Sequence, residues 1–387
     1  MPRFLHTADW QIGRQYSRFA EEDASILADA RFTVIERLAA LATEQAVDAV
    51  LVAGDVFDAQ TVSDRTIHRT FQAMAGFSGP WLLLPGNHDA ALAESVWSRA
   101  QRLSAVPSNV ELLLTPEVRV YQNLGFAVLP APLTQRQTYN DLTEWFDRAD
   151  TPDGLLRIGL AHGSVEGQLA EEIDSTNPIS ADRAATAGLD YLALGDWHGF
   201  KVIDARTRYS GTPEQERFKD NGAGQALIVD IEQPGAEPQV QTHTTGQFQW
   251  IKHQGTLAVA SDLDRLIAEL DALPPRSVVD LTVDGEVDLS GYQALLHYLG
   301  GAEARHRSFQ SHLSGLNLIP TEEDIAALHA DGYVGEVIGD LRERQEGQGE
   351  EPDTARTALA ILAGMLRDSS LASESERTEG KMKESEQ

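Results

Sequence analysis

The sequence contains no cysteine in its 387 residues. Disulfides, iron–sulfur clusters, thiolate zinc sites and cysteine nucleophiles are therefore excluded. No apolar run approaches the roughly 18 residues that a membrane-spanning helix needs. The N-terminus also lacks the apolar stretch of a secretory signal. Together these absences predict a cytoplasmic protein.

Basic residues are scarce relative to acidic ones. Lys and Arg total 31 against 60 Asp and Glu, which gives a formal net charge of −29. A field of this sign repels a phosphate backbone, because nucleic-acid affinity comes largely from Lys and Arg that displace counterions. Charge alone therefore argues against unaided, tight DNA binding. Bound cations, local arginine clusters or a basic partner would have to offset it.

Strand-like and helix-like segments alternate along the first 200 residues. Short runs rich in Val, Ile and Leu are separated by helical patterns, the longest at residues 21–45. The apolar face of that helix is either core or a homodimer interface. The alternation predicts a layered α/β domain over residues 1–255, with helices on both faces of its sheet.

Two further segments follow this domain. Residues 256–346 are predicted to form a smaller α/β domain, structural or substrate-positioning, with a helix start at Thr321-Glu322-Glu323-Asp324. Residues 347–387 are predicted to form a helix at 353–368 followed by a disordered acidic tail. An apolar stripe on this helix would pack on the second domain or dock a partner; it consists of Ala355, Leu359, Leu362 and Leu366.

Five polar motifs each follow a strand-like run. In chain order they are Asp9-Trp10-Gln11, Gly54-Asp55-Val56-Phe57-Asp58, Gly86-Asn87-His88-Asp89, Ala161-His162-Gly163 and Gly195-Asp196-Trp197-His198. Sites in open α/β sheets lie outside the carboxyl ends of the strands. Acidic and imidazole groups gathered there can hold two divalent cations, which can cleave a phosphodiester. Each motif alone is a weak signal, but the five in this order indicate such a centre.

Individual side chains in these motifs suit particular roles. Asp55 is placed to bridge two cations through its two oxygens, and Asn87 offers a neutral amide oxygen. His88 would stabilise charge on the phosphoryl group or assist the leaving oxygen, with Asp89 available to orient it.

Several basic residues and one tyrosine are candidates for contact with a substrate backbone. Arg14, Tyr16 and Arg18 follow the first motif, and the cluster Arg305-His306-Arg307 lies in the second domain. For each of these residues, surface solvation is the alternative interpretation.

The chain resembles the calcineurin-like metallophosphoesterase superfamily and, within it, SbcD-type DNA repair exonuclease subunits. The resemblance rests on Leu5-His6-Thr7-Ala8-Asp9-Trp10, Val52-Ala53-Gly54-Asp55-Val56-Phe57-Asp58, Leu84-Pro85-Gly86-Asn87-His88-Asp89 and Tyr209-Ser210-Gly211-Thr212-Pro213-Glu214. It covers residues 1–230, is loose in the second domain, which would correspond to that family's capping domain, and is absent from the tail.

The resemblance implies two metal sites with a shared ligand. One ion would be held by Asp9, Asp55 and His198, and the other by Asp55, Asn87, His162 and the residue at position 196. His88 would be the transition-state group. Members of the family use manganese, act on DNA ends and work with a coiled-coil ATPase of the SbcC type. The C-terminal helix would be the docking element for that ATPase.

Two positions depart from the family's pattern. Gln11 stands where the first motif usually has His, and Asp196 stands where the fifth usually has His. Gln11 is the poorer ligand, whereas Asp196 adds a hard, negative oxygen. An oxygen-rich shell favours manganese, with magnesium as the alternative. Because Gln11 is the poorer ligand, we expect the metal site on the Gln11 side to be weakly occupied.

Two other functions stay open at this point. One is a phosphodiesterase or phosphatase that uses the same centre on a substrate other than DNA, which the net charge favours. The other is a non-catalytic protein that docks a partner, in which Gln11 marks a decayed site.

Overall fold

A computed structural model describes residues 2–168, 176–319 and 333–345, and in the last segment residues 352, 354, 355, 357–359, 361 and 362. The chain divides into two compact units, Met1–Gln249 and Trp250–Gln387. The predicted helix start at residues 321–324 and the predicted tail beyond residue 368 lie outside the described residues.

Fourteen strands occur in the described part of the first unit. They are Arg3–Thr7 (β1), Ala49–Ala53 (β2), Trp81–Leu84 (β3), Val110–Leu112 (β4), Arg119–Tyr121 (β5), Phe126–Ala131 (β6), Leu156–His162 (β7), Ser164–Val165 (β8), Pro178–Ile179 (β9), Tyr191–Gly195 (β10), Lys201–Val202 (β11), Thr207–Tyr209 (β12), Gln225–Asp230 (β13) and Gln239–Thr244 (β14).

The longer strands form two six-stranded sheets. The first has the order β14–β13–β1–β2–β3–β4 and the second the order β11–β12–β10–β7–β6–β5, while β8 and β9 pair separately. Strands β1, β2 and β3 run parallel, as do β6, β7 and β10. Parallel strands end at a common edge, and the five motifs follow β1, β2, β3, β7 and β10 at such edges.

Helices lie against the outer face of each sheet. They are Glu21–Glu44 (α1), Asp64–Ala73 (α2), Val96–Arg102 (α3) and Arg183–Thr186 (α4). The side chain of Ser63 accepts a hydrogen bond from the backbone N–H of Thr66 and so caps α2. Ser95 and Ser98 form a reciprocal capping box at the start of α3.

Strand β2 shows how side-chain alternation builds the layers. Its residues Val50 and Val52 pack in one cluster with Ile35 and Leu38 of α1. The intervening Leu51 packs in another cluster with residues of the second sheet. Successive side chains of a strand point to opposite faces, so one face meets helices and the other meets a sheet.

The predicted layered α/β class is confirmed. One detail differs, because two sheets pack face to face and, among the described residues, the helices lie on the outer faces. The apolar face of α1 contributes Ile35, Leu38 and Ala42 to the core of this unit. That face is therefore core rather than a dimer interface.

The second unit is a small α/β assembly. Its elements are Gln249–Leu257 (β15), Ala260–Asp271 (α5), Ser277–Val287 (β16), Leu289–Arg305 (α6), Ser308–Leu318 (β17) and Tyr333–Gln345 (α7). The strands form a sheet in the order β15–β16–β17. Residue 255, the predicted end of the first domain, falls within β15.

The C-terminal stripe packs within the second unit. The described residues between 352 and 362 are helical. Ala355 and Leu359 are buried, and Leu359 and Leu362 join the core cluster of the unit. Of the two alternatives for the stripe, the structure therefore shows packing against the chain's own second unit. Leu366 lies outside the described residues.

Among the described residues, no helix combines the length and the apolar character that crossing a bilayer requires.

Candidate metal centre

Four site residues have left-handed backbone conformations. The φ angles are +54° at Asp9, +51° at Gln11, +53° at Asp55 and +99° at Asp196. Such angles are unfavourable for residues with a Cβ and persist only where the surroundings enforce them. The enforcement is visible in two backbone hydrogen bonds of 3.0 Å, from the Asp9 N–H to the Gly54 carbonyl and from the Gln11 N–H to the Asp55 carbonyl.

Ligand atoms of Asp9, Asp55 and His162 all lie within 4.8 Å of one another. The first two residues follow strands of the first sheet, whereas His162 ends β7 of the second. All three are buried. The site is therefore assembled where the edges of the two sheets meet.

Asn87 and Asp196 complete this cluster around the His162 ring. The His162 Nε2 lies 3.3 Å from Asn87 Oδ1, 3.5 Å from Asp55 Oδ1 and 3.6 Å from Asp196 Oδ1. The Asp196 N–H also donates to both carboxylate oxygens of Asp9 at 3.2 Å. One imidazole nitrogen thus faces three oxygen donors from three different motifs.

A hydrogen bond to a backbone carbonyl fixes the orientation of the His162 ring. Its Nδ1 donates to the Ala53 carbonyl at 2.8 Å, so Nε2 points toward the cluster. His88 is held in the same way, because its Nδ1 donates to the Asp58 carbonyl at 2.8 Å. The His88 Nε2 then lies 3.9 Å from Asp55 Oδ2. This pattern is the one that metal-binding or phosphate-contacting imidazoles need.

In His198, the corresponding hydrogen bond is made to a side-chain carboxylate. Its Nδ1 donates to Glu216 Oε1 at 2.5 Å, and its Nε2 lies 4.0 Å from Asp9 Oδ1. Burial would raise the pKa of Glu216, but His198 and nearby arginines hold it well below its usual range. Glu216 is therefore an anion that fixes the tautomer and direction of His198.

The positive charge around the buried carboxylates is not sufficient to stabilise them all in the ionised form. Burial raises the pKa of Asp9 to about 6 and also raises that of Asp196. Burial alone would lower the pKa of His162, but Asp55, Asp9 and Asp196 together raise it to about 9. Among the described residues, the charged partners of these carboxylates are histidines. A bound cation would stabilise the ionised carboxylates, so the donor set fits a metal.

Gly86 permits the third motif to lie close to Asp55. A Cβ built on Gly86 would lie 2.2 Å from Asp55 Oδ1 and 2.5 Å from the Asp55 backbone nitrogen. The following turn brings the His88 N–H to Asp55 Oδ1 at 2.9 Å. Glycine at position 86 is therefore a steric requirement of the site.

Gln11 reaches the centre, but its amide nitrogen faces inward. The Nε2 donates to Asp55 Oδ2 at 2.8 Å, and the buried Oε1 has no hydrogen-bond partner among the residues that the structure describes. The expectation that Gln11 offers its oxygen as a ligand is not what this geometry shows. The physical reason is that the Asp55 oxygen accepts a hydrogen bond, which only the N–H end of the Gln11 amide can donate.

Asp89 does not contact His88 in the way the sequence suggested. Its carboxylate accepts hydrogen bonds from the backbone N–H groups of Gly86 at 2.6 Å and Phe57 at 3.1 Å. The residue is fully buried, and this burial raises its pKa to about 8. The role of orienting His88 belongs to the Asp58 carbonyl, and Asp89 instead joins the loops of the second and third motifs.

The candidate substrate-contact residues occupy two kinds of position. Arg14 and Arg18 line a polar cleft of about 310 Å³ beside the centre. Tyr16 lines the same cleft but is only 6% exposed, and its hydroxyl accepts from Arg31 Nε at 2.9 Å. Its hydroxyl therefore supports a buried arginine instead of reaching a substrate. In the second unit, Arg305 pairs with Asp271 at 2.7 Å.

Sequence reasoning missed Glu216 and its partner Arg31. Arg31 Nη2 lies 3.0 Å from Glu216 Oε2, and both side chains are almost completely buried. One signal existed, because Arg31 falls among Leu27, Val34 and Ile35 on the apolar side of α1. A charged residue on such a face requires a buried partner. Nothing in the sequence identifies that partner, which lies 185 positions away.

Comparison with known proteins places this geometry in a family. Residues 2–222 match the model of the calcineurin-like phosphoesterases. The chain is 42% identical to the SbcD component of the SbcCD nuclease from Rhodobacter capsulatus, over 71% of this chain and 77% of that protein. It is 27% identical to the protein of the same name from Bacillus subtilis, over 61% of this chain and 67% of that protein.

A third relative has a name that refers to DNA breaks. The chain is 26% identical to the DNA double-strand break repair protein Mre11 of Aeropyrum pernix, over 60% of this chain and 58% of that protein. The family match covers more than half of the chain and includes all five motifs. The chain therefore belongs to the calcineurin-like phosphoesterases and is a metal-dependent phosphoesterase.

Proposed function

We propose that the chain is a two-metal phosphodiesterase that cleaves DNA from its ends. The observation that carries this proposal is the convergence of Asp9, Asp55 and His162, with ligand atoms within 4.8 Å of one another. Buried carboxylates in this number are stabilised by divalent cations. The names of the relatives, which include nucleases and a break-repair protein, support DNA as the substrate.

The ligands would divide between the two ions around a shared carboxylate. Asp9, Asp55 and His198 would hold one ion, and Asp55, Asn87, His162 and Asp196 the other. A pair of bound cations would supply a hydroxide nucleophile and neutralise charge on the phosphoryl oxygens. Asp55 would be shared between the ions, since its oxygens face different partners, Oδ1 toward His162 and Oδ2 toward His88 and Gln11.

His88 would act on the phosphate directly. Its side chain is 30% exposed, the most accessible of the three site histidines. Its Nδ1 is held by the Asp58 carbonyl, which directs Nε2 toward the cluster. When protonated at Nε2, the ring would donate a hydrogen bond to a phosphoryl or leaving oxygen and stabilise the charge that develops there.

Manganese is the proposed metal, with magnesium as the alternative. The shell offers carboxylates from Asp9, Asp55 and Asp196 and an amide oxygen from Asn87, against two imidazoles. Hard oxygen ligands favour these ions over zinc or copper. Gln11 donates a hydrogen bond to Asp55 and offers no ligand atom to a metal. The ion on the Gln11 side would therefore be held more weakly.

A coiled-coil ATPase of the SbcC type is the proposed partner. The name shared by two relatives describes them as one component of a larger nuclease. The C-terminal helix would dock such a partner through residues other than its buried stripe. Ile361, which is 53% exposed, is a candidate for that face.

A second candidate is a phosphodiesterase for a small or protein-borne phosphate. The net charge of −29 favours it, because the chain as a whole repels a polyanion. This function would use the same centre and would need no ATPase. It predicts hydrolysis of small esters with little or no action on DNA.

One set of assays separates these functions. Single-stranded DNA, double-stranded DNA and bis(p-nitrophenyl) phosphate are incubated with manganese, with and without the ATPase. We expect hydrolysis of DNA, and a loss of at least about a thousandfold in kcat for Asp55→Asn and for His88→Gln. Arg102→Gln, a change at an exposed arginine in α3, serves as the control. Activity retained in Asp55→Asn would contradict the metal mechanism.

A further inference from the structure

A polar cleft lies directly behind one of the site histidines. It has a volume of about 310 Å³ and is lined by Arg14, Gln15, Tyr16, Ser17, Arg18, Glu216 and Arg217. Glu216 forms the contact with the centre, because its Oε1 accepts from His198 Nδ1 at 2.5 Å. His198 Nε2 in turn faces Asp9. One imidazole ring therefore separates the wall of the cleft from the metal ligands.

The cleft has more positive than negative charge. Its lining contains three arginines and one carboxylate, that of Glu216. Glu216 pairs with Arg31 on its buried side at 3.0 Å and with Arg217 at 2.5 Å. Arg14 is shared between Glu216 at 3.2 Å and Asp58 at 3.4 Å. In a chain of charge −29, this local surplus of guanidinium groups offers a site for an anion.

The two outer arginines are held in position. Arg18 lies over the rings of Phe19 and Phe218, with its guanidinium carbon 5.0 and 5.1 Å from their centroids. Arg217 donates through Nε to Glu216 Oε1 at 3.1 Å, while its side chain remains 46% exposed. Contacts that immobilise a guanidinium group reduce the entropy lost when it binds an anion.

The same rim carries a lysine on an aromatic ring. Lys219 Nζ lies 4.4 Å from the ring centroid of Trp197, the residue between Asp196 and His198. Cations beside partly exposed aromatic rings are typical of surfaces that bind nucleic-acid strands without regard to sequence. Lys219 is two residues after Arg217, which lines the cleft.

We propose that the cleft of Arg14, Arg18 and Arg217 is a second phosphate-binding subsite, which holds a backbone phosphate next to the one that is cleaved. This inference rests on the proposed function. It specifies the substrate as a polynucleotide with at least two consecutive phosphodiesters. Guanidinium groups suit this task because they contact two phosphate oxygens at once.

Binding of a defined oligonucleotide tests the subsite without turnover. Fluorescein-labelled decathymidylate is titrated with the full chain in calcium, and anisotropy is followed over a series of KCl concentrations. Each phosphate contact removed from a single strand should reduce the slope of log K against log salt by about 0.7. We expect this reduction for Arg18→Gln and for Arg217→Gln, and no change for the control Arg102→Gln. An unchanged slope in both cleft variants overturns the proposal.

Hydrolysis provides an independent measurement. For Arg18→Gln, kcat/KM in manganese should fall about tenfold more for decathymidylate than for bis(p-nitrophenyl) phosphate, which has no second phosphate. Equal losses on both substrates overturn the subsite. If the wild-type chain hydrolyses neither substrate but the slopes change as expected, the proposed function fails and the subsite stands. Arg18 is exposed, and thermal unfolding of its variant should match wild type.

Discussion

His162, at the end of β7, donates its Nδ1 hydrogen to the carbonyl oxygen of Ala53, at the end of β2, over 2.8 Å. The two residues are 109 positions apart and belong to different sheets. This hydrogen bond therefore does two things at once. It joins the sheets at the edge that carries the site, and it turns Nε2 toward the carboxylates.

Gly54 has no room for a larger side chain at this junction. A Cβ there would lie 2.2 Å from His162 Nδ1, and the residue has φ of +92°. We expect Gly54→Ala to lower the free energy of unfolding by about 2 kcal/mol or more, and to weaken metal binding. Gly154→Ala is the matched control, because Gly154 has φ of +78° and open space around it. Urea unfolding of both variants measures the difference, and equal losses would argue against the steric explanation.

Replacing Gln11 by His should strengthen the weaker metal site. The present amide donates to Asp55 Oδ2, whereas an imidazole would present a lone pair to an ion beside Asp9 and Asp55. We expect Gln11→His to raise the affinity for the weaker manganese ion by about tenfold or more. Titration calorimetry of the metal-free protein measures it. Gln11→Ala, which removes the donor without adding a ligand, should show no such gain.

Metal binding should release a proton from His162 below pH 9. Burial alone would lower the pKa of His162, but the three neighbouring carboxylates raise it to about 9. Below this pH the ring is protonated in the metal-free chain, and an ion must displace that proton. Manganese affinity should therefore rise by up to about tenfold per pH unit between pH 7 and the pKa of this group, about 9. Calorimetry in buffers with different ionisation enthalpies counts the protons, and a count that does not change in His162→Ala would contradict this assignment.

Glu216 and Arg31 should be strongly coupled in stability. Glu216→Gln leaves the fully buried Arg31 without its counter-charge, so we expect a loss of about 3 kcal/mol in unfolding free energy. Arg31→Met should leave Glu216 with the more exposed Arg14 and Arg217. A double-mutant cycle measured by urea unfolding should give a coupling of about 1 kcal/mol or more. Strict additivity of the two losses would show that the pair does not act as a unit.

The sequence predicts the location of the site because strand ends are local features. Each motif follows an apolar run, and parallel strands place their carboxyl ends at one edge. Asp9 and Asp55 meet for this reason, whereas His162 joins them because the second sheet packs against the first. The pairing of two sheets was not predictable, because a strand buried on both faces has the same apolar run whether a helix or a sheet covers it.

The partners of the site residues were harder to predict than the residues themselves. His88 is oriented by the backbone carbonyl of Asp58, and a carbonyl has no signature in the sequence. The motif made Asp89 the obvious partner, but two backbone N–H groups occupy its carboxylate. Glu216 lies in a loop without periodicity, so only the folded chain shows that it supports His198.

The left-handed backbone of Asp9, Gln11, Asp55 and Asp196 has an evolutionary consequence. Glycine adopts such angles readily, so replacing any of these residues by glycine would relieve local strain and, for the aspartates, remove a buried charge. The folded state would be retained or even favoured while hydrolysis disappeared. At the three aspartates, stability alone would therefore tolerate glycine, and only the requirement for catalysis would oppose it.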